Sequence, residues 1–169
     1  MNNRVLIWNT TPTNANQLPD IVLGQPNFNI NIANGVGIGA NSLSNPTSVY
    51  SDGTRVYVAD TGNHRVLIWN TIPTVNAQAA NVVLGQPNFT SNVLNNGGIG
   101  ASTLNAPSSV YSLGTRLFVA DTTNNRVLIW NTIPTVNKQN ADLVLGQPTF
   151  VANTINNGGA GSTTMNGPT

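Results

Sequence analysis

The chain has 169 residues, enough for one domain with a sizeable core. Only 7% of the residues are charged, the net charge is +1, and the six Lys and Arg residues are spread along the chain. This balance provides no clustered face for nucleic acid or anionic lipid, and the absence of cysteine excludes disulfides, thiolate metal sites and cysteine nucleophiles.

Two motifs recur along the chain at a spacing of 61 residues. "RVLIWNT" begins at Arg4, Arg65 and Arg126, and "VLGQP" begins at 22, 83 and 144. Residues 126–169 match residues 65–108 at 29 of 44 positions without a gap. One structural unit is therefore repeated, and the copies are still close in sequence.

The predicted elements are short strands, four to a complete unit. The N-terminal unit enters "RVLIWN" at once, which is a third strand, and continues to a fourth strand at "VLGQ". In the last unit the four predicted strands are 108–112, 116–121, 126–131 and 142–147. They are rich in Val, Leu, Ile, Tyr and Trp, and Gly, Pro, Asn and Thr fill the connections. No apolar run reaches the roughly 20 residues of a membrane span, so no membrane insertion is expected.

The third strand indicates how the sheets pack. "VLIW" is apolar at consecutive positions, whereas a strand with one wet face would alternate. Four-stranded sheets that are buried on both faces and recur at a fixed period are typical of a β-propeller. Helical periodicity is absent, and the rungs of a β-helix are much shorter. We therefore predict an all-β fold, a β-propeller made of four-stranded antiparallel blades.

The turn between strands two and three carries a family resemblance. "VADTGNHRVLIWN" and "VADTTNNRVLIWN" resemble the NHL repeat, whose signature is an Asp, an Asn two or three residues later, and an Arg that opens the next strand. The long unit with "LGQPNF" and a Gly- and Asn-rich stretch is similar to NHL-type repeats of bacterial, often surface or secreted, proteins. The resemblance implies a six-bladed ring, and an extracellular or cell-surface location if the chain is a segment of a longer protein. The unit exceeds the 40–45 residues typical of such repeats, mainly in the loop 148–168 and its equivalents.

The repeat divides the chain into three parts within one propeller segment. Residues 1–45 form half a blade, strands three and four, with a long loop; residues 46–106 and 107–169 each form a blade with a long loop. This amounts to about 2.5 blades, half or less of a six-bladed ring. The 14 positions equivalent to 48–61 are absent before Asn2. We expect an unpaired strand edge and a bare blade face, and hence either a longer protein or self-association, with open filaments if the contact fails to close.

The repeated turn is the first candidate site. Asp, Asn and Arg recur in it, whereas His64 occurs in one copy and is interpreted as a substitution for Asn. A metal or acid–base site would need several converging His or carboxylate groups. We instead predict a structural turn latch, in which Asp accepts N–H bonds of the turn, Asn adopts the turn conformation, and Arg pairs with Asp or a neighbouring blade. Its residues are Asp60, Asn63, Arg65, Asp121, Asn124, Arg126 and Arg4.

A candidate ligand face lies at the same end of the blades, where the latch turns and the long loops emerge together. Its residues are His64, Asn95, Asn96, Asn125, Asn156 and Asn157. The Gly-rich loops, beginning with 34–39, lack the helix and Lys of a phosphate loop, so they are interpreted as surface loops. The tryptophans Trp8, Trp69 and Trp130 are expected to pack between blades rather than to stack on sugars.

Three functions remain open at this point. The first is a non-catalytic repeat scaffold for self-assembly or protein–protein interaction. The second is a lectin-like propeller that binds glycans, and the third is a metal-dependent lyase or lactonase propeller. With one His and no recognisable nucleophile elbow, no catalytic, metal or cofactor-binding residue is predicted. Expected partners are further copies of the chain, other proteins or glycans.

Overall fold

The computed structural model describes residues 1–35 and 37–169, and it is an all-β structure. Val36, inside the first Gly-rich loop, lies outside the described residues. Within these described residues, three short 3₁₀-helices occur, at Thr61–Asn63, Thr122–Asn124 and Ile155–Gly158. The strands are β1 (Val5–Ile7), β2 (Ile21–Leu23), β3 (Pro46–Ser51), β4 (Val56–Asp60), β5 (Arg65–Trp69), β6 (Val82–Leu84), β7 (Ser109–Leu113), β8 (Arg116–Asp121), β9 (Arg126–Trp130) and β10 (Leu143–Leu145).

In the part of the chain that the structure describes, the strands form three antiparallel sheets that follow the repeat. β1 pairs with β2, β3 to β6 form one four-stranded sheet in chain order, and β7 to β10 form a second. These are blades of an open propeller, and the described residues do not close into a ring. The predicted fold class is confirmed. The fourth strand of the last unit is shorter than predicted, because Gly146 adopts a φ of +87° directly after Leu145 and the pairing ends there.

Successive apolar residues of a strand face two different neighbouring sheets. In β5, Leu67 and Trp69 pack towards the β1–β2 sheet together with Val5 and Leu23. Val66 and Ile68 point the other way, into a core shared with the β7–β10 sheet. The period-two alternation of a strand is thus present, but both faces are apolar because both are covered. This explains the run "VLIW" physically.

Each four-stranded sheet is hydrogen-bonded to the preceding sheet through the loop between its own third and fourth strands. Asn76 Oδ1 accepts the N–H of Val22 at 3.0 Å, and Ala77 N–H donates to the Val22 carbonyl at 2.9 Å. Asn137 and Lys138 repeat both bonds on Val83 of β6. The outer strand of one blade is therefore capped by the following blade.

Among the described residues, no helix combines the length and the apolar composition needed to cross a bilayer.

Candidate functional site

The repeated turn begins where β4 and β5 end their pairing. Asp60 lies opposite Arg65 in the last register pair of these strands, and a single 3₁₀ turn, Thr61–Asn63, connects them. His64 closes the turn in the left-handed region, with a φ of 53°. The third unit repeats this geometry with Asn125 at a φ of 54°. The left-handed position thus falls one residue after the Asn of the motif.

Asp60 collects three hydrogen bonds in a fully buried position. Its Oδ2 accepts from Arg65 Nε at 2.7 Å and from Asn63 Nδ2 at 2.8 Å. Its Oδ1 accepts the N–H of Ser44 at 2.7 Å, so this carboxylate bonds to the preceding long loop rather than to the N–H groups of its own turn. Asp121 makes the same three bonds, to Arg126, Asn124 and the N–H of Asn105.

Arg65 joins two successive long loops at the end of the blade. Its Nη2 donates to the carbonyls of Gly39 and Ser42 at 3.0 and 2.9 Å, in the loop before β3. Its Nη1 donates to the carbonyl of Phe89, in the loop after β6, at 2.6 Å. Arg126 repeats these contacts with Gly100, Thr103 and Phe150. The planar guanidinium suits this role because its donors point in fixed directions.

Electrostatics at the cluster are dominated by burial. Burial raises the pKa of the Asp60 carboxyl, and the Arg65 guanidinium together with the donors Asn63 and Ser44 acts against that shift. Asp121 shows the same direction for the same reason. Both ion pairs are fully shielded, with side chains 0% exposed. Removing one partner would leave a buried charge without compensation.

A reciprocal amide pair extends the cluster into the long loop. Asn63 and Asn34 each donate from Nδ2 to the other's Oδ1 at 2.9 Å. Asn124 and Asn95 form the same pair. Asn34 and Asn95 have φ values of 51° and 44°, a conformation that Asn tolerates better than most residues.

His64 occupies a position at which the other repeats carry Asn. Its Nδ1 accepts the N–H of Ala106 at 3.0 Å, from the start of the next blade. Asn125 Oδ1 accepts the N–H of Gly167 at 2.9 Å, and Asn3 Oδ1 accepts that of Asn45 at 2.7 Å. All three contacts span 42 residues. Imidazole Nδ1 therefore replaces the amide oxygen as a hydrogen-bond acceptor.

The six residues of the candidate ligand face differ in exposure. Asn157 is exposed, Asn125 is buried, and the other four, His64, Asn95, Asn96 and Asn156, are half-buried. Side chains of His64, Asn95 and Asn125 make the structural bonds described above, and Asn96 donates to Gln86 Oε1 at 3.3 Å. A ligand at this face stays a prediction.

The glutamine of "VLGQP" is a structural residue that the sequence reading did not single out. Gln86 is fully buried, and its Nε2 donates to the carbonyls of His64 at 3.1 Å and Val93 at 2.8 Å. Gln25 and Gln147 bind the equivalent carbonyls. The recurrence of Gln at the 61-residue spacing was the available signal. Through these bonds, buried Gln side chains hold backbone carbonyls of the long loops that contain the Gly-rich stretches.

Arg4 directly precedes β1, and its environment differs from that of Arg65 and Arg126, which are the first residues of β5 and β9. Its Nη1 donates to the Phe28 carbonyl at 2.5 Å, the counterpart of the Phe89 contact. Within the described residues Arg4 makes no ion pair, because β1 has a strand partner on one side only. Arg4 is half-buried, whereas the other two are 0% exposed.

The side chains of this site hold the turn to the adjoining long loops by hydrogen bonds, and its Asp and Arg side chains form ion pairs. The donors and acceptors of the Asp, Asn and Arg side chains face each other or backbone groups, out of solvent. Over residues 1–35 and 37–169, no group of three or more His, Asp or Glu side chains is close enough to hold a metal ion. The two tryptophans of the complete blades are 1% exposed, and each donates its indole N–H to a Gln carbonyl.

Four-stranded antiparallel sheets with their strands in chain order, joined by these turns, are blades of a β-propeller. The family model for the NHL repeat matches residues 43–69, which contain β3, β4, the turn and β5. Residues 43–69 are thus similar to an NHL repeat, and the blades are consistent with part of an NHL propeller. No curated protein matches the chain. NHL repeats generally serve as non-catalytic scaffolds for protein interactions.

Proposed function

We propose that this chain is a non-catalytic scaffold that works by self-assembly, through blade faces that further copies of the chain cover. The observation that carries the proposal is a contrast between equivalent residues of β6 and β10. Val82 and Leu84 are 2% and 0% exposed, because the next blade covers them. Leu143 and Leu145, at the same positions one repeat later, are 49% and 47% exposed. Burial of such side chains is favourable by roughly 1.5–3 kcal/mol each.

Four residues of the β7–β10 sheet make up what we call the C-terminal face: Tyr111, Phe118, Leu143 and Leu145. Phe118 is half-buried, and the other three are exposed. The rings of Tyr111 and Phe118 form a tilted pair with a centroid distance of 6.4 Å. Tyr111 is 46% exposed, whereas its equivalent Tyr50 packs against the following blade. Exposed apolar side chains on one sheet face favour an interaction site.

Head-to-tail contact between copies follows from the repeat. Inside the chain, the face that carries Tyr57 and Ile68 packs on the opposite face of the next blade, at Val110 and Leu117. The C-terminal face is the equivalent of the first surface. The β1 side of a second copy, with half-buried Leu6, is the equivalent of the second. A contact between unlike surfaces produces a ring when it closes and a filament when it does not.

Sedimentation velocity over a wide concentration range tests the proposal. We expect wild-type protein to form oligomers or filaments and Leu143→Glu to weaken the association at least about tenfold. Val136→Glu is the matched control. Val136 and its equivalent Val75 are both 58% exposed, so a covering blade does not touch this position. A wild-type protein that is monomeric at every concentration would refute self-assembly.

A further inference from the structure

Besides the C-terminal face, the edge of β1 that does not pair with β2 is uncovered. The equivalent edges in the other repeats show which kind of strand could pair there. We call this region the β1 slot; Arg4, Leu6, Trp8 and Val49 border it. It comprises two adjoining clefts of about 380 and 350 Å³, which share four lining residues: Val5, Leu6, Trp8 and Val49. The equivalent edges of β5 and β9 are each paired with a strand, β4 and β8.

Exposure supports the comparison position by position. Val49 is 52% exposed, whereas its equivalent Val110 is 3% exposed, because β3 and β4 lie against β7. Trp8 is half-buried, whereas Trp69 and Trp130 are 1% exposed. The strands that cover these residues in the complete blades are the first and second strands of a unit. Among the described residues, no counterpart of these two strands pairs with β1.

Arg4 indicates which charge a partner in the β1 slot should carry. Arg65 and Arg126 each form an ion pair at 2.7 Å with the last residue of the preceding strand, Asp60 and Asp121. Arg4 occupies the equivalent position of the repeat, directly before β1, and already makes the corresponding loop contact through Nη1. Its Nε, the atom that pairs with Asp in the other repeats, has no carboxylate partner among the described residues.

We infer that the β1 slot binds a β-hairpin of the repeat type whose second strand ends in Asp. The registers Asp60 with Arg65, Val58 with Leu67 and Val56 with Trp69 fix the alignment. They place the hairpin's Asp on Arg4, and the residues two and four positions earlier opposite Leu6 and Trp8. The backbone of the hairpin adds a strand to an open sheet edge, and its Asp provides specificity. This inference identifies a partner for the scaffold of the proposed function and rests on that function for its biological meaning.

A synthetic peptide with the sequence of residues 46–61, "PTSVYSDGTRVYVADT", is the probe. Titration is carried out on the full chain carrying Leu143→Glu, in dilute solution, so that self-association does not compete. We expect saturable binding with a change in Trp8 fluorescence that Trp8→Phe removes. We also expect the peptide with Asp60→Asn to bind at least about tenfold more weakly, because a buried charge pair loses one partner.

The protein variant Arg4→Gln completes a double-mutant cycle. It should weaken binding of the Asp peptide by a similar factor and remove the difference between the two peptides. Arg116→Gln, an exposed Arg on β8, changes the net charge equally and should leave binding unaltered. If Arg4→Gln unfolds the protein, the affinities of the Asp and Asn peptides for protein that retains Arg4 still test the contact between Asp and Arg4.

Two results would overturn the inference: no binding at millimolar peptide, or equal affinity for the Asp and Asn peptides. These outcomes are separable from those of the assembly test. A monomeric protein that binds the Asp peptide selectively would refute self-assembly and support the inference about the β1 slot. A protein that assembles but does not bind the peptide would support self-assembly and refute the inference about the β1 slot.

Discussion

The backbone N–H of Ala106 donates to Nδ1 of His64 at 3.0 Å, which joins the turn of one blade to the start of the next. This bond requires that Nδ1 carries no proton. Partial burial lowers the pKa of His64, and the carboxylates Asp121 and Asp60 act in the opposite direction. The residue is thus kept neutral at the pH where a solvent-exposed His begins to charge.

The first prediction is an acid-dependent loss of stability through His64. The unfolded chain takes up a proton near pH 6.5, above the folded pKa, so stability declines as pH falls from about 6.5 through that lower value. Urea denaturation between pH 8 and pH 5 should show a loss of up to about 1 kcal/mol, the net value of one hydrogen bond. His64→Asn restores the residue of the other repeats and should remove this component.

The two proteins share every other titrating group, including Asp60 and Asp121, so the difference between their pH profiles isolates His64. Parallel profiles would contradict the role given to this imidazole.

The second prediction concerns the buried ion pair. Asp60→Ala leaves the Arg65 guanidinium, Asn63 and the Ser44 N–H without their acceptor, and should cost about 3–5 kcal/mol in the free energy of unfolding. Arg55→Ala is the comparison, because its pair with Asp52 is 3.6 Å long and Arg55 is 38% exposed. We expect that change to cost less than about 1 kcal/mol. Chemical denaturation measures both, and similar costs would show that the latch adds little stability.

The third prediction uses two glycines with nearly the same backbone conformation. Gly85 and Gly53 have φ values of 88° and 87°. A Cβ on Gly85 would lie 2.7 Å from the His64 carbonyl oxygen, whereas a Cβ on Gly53 meets nothing within 4 Å. Gly53→Ala should cost about 1 kcal/mol, from conformational strain alone.

Gly85→Ala adds a clash with backbone and should cost at least about 2 kcal/mol more. Thermal unfolding of the two variants compares them directly. Equal costs would mean that the loop yields at Gly85 and that the contact between turn and loop is not rigid.

The fourth prediction tests Gln86, which holds the long loop to the turn. Gln86→Ala leaves the carbonyls of His64 and Val93 without their donor and should cost about 1–3 kcal/mol. Hydrogen exchange should accelerate most in the loop that contains Val93. Gln78→Ala, in a partly exposed turn where Oε1 accepts from Thr74 N–H, should leave that loop unaffected. Uniform acceleration across the blade would assign Gln86 a global role instead.

Much of this architecture could be predicted because the sequence repeats. The equal spacing of "RVLIWNT" and "VLGQP" defined the unit, and the consecutive apolar residues of β5 predicted a strand buried on both faces. The short fourth strand was less predictable, since its end depends on the backbone of Gly146.

The partners of the latch residues could not be predicted, because they lie far away in sequence. Asp60 was expected to bond within its own turn, and it binds the N–H of Ser44 in the preceding loop. Arg65 reaches carbonyls 23 to 26 residues away in both directions. The recurrence of Gln86 at the repeat spacing marks its position, but its partners are backbone carbonyls, which no sequence pattern identifies.

The repeat, the strand pattern and the recurring Asp, Asn and Arg residues can be recognised from the sequence, because they depend on local propensity and spacing. The contacts of each side chain depend on the packed fold. His64 illustrates the division: the sequence marks it as a departure from Asn, and the fold makes its Nδ1 the acceptor that an Asn oxygen provides elsewhere. Burial and pairing depend on which sheets meet, and that is a property of the packed chain.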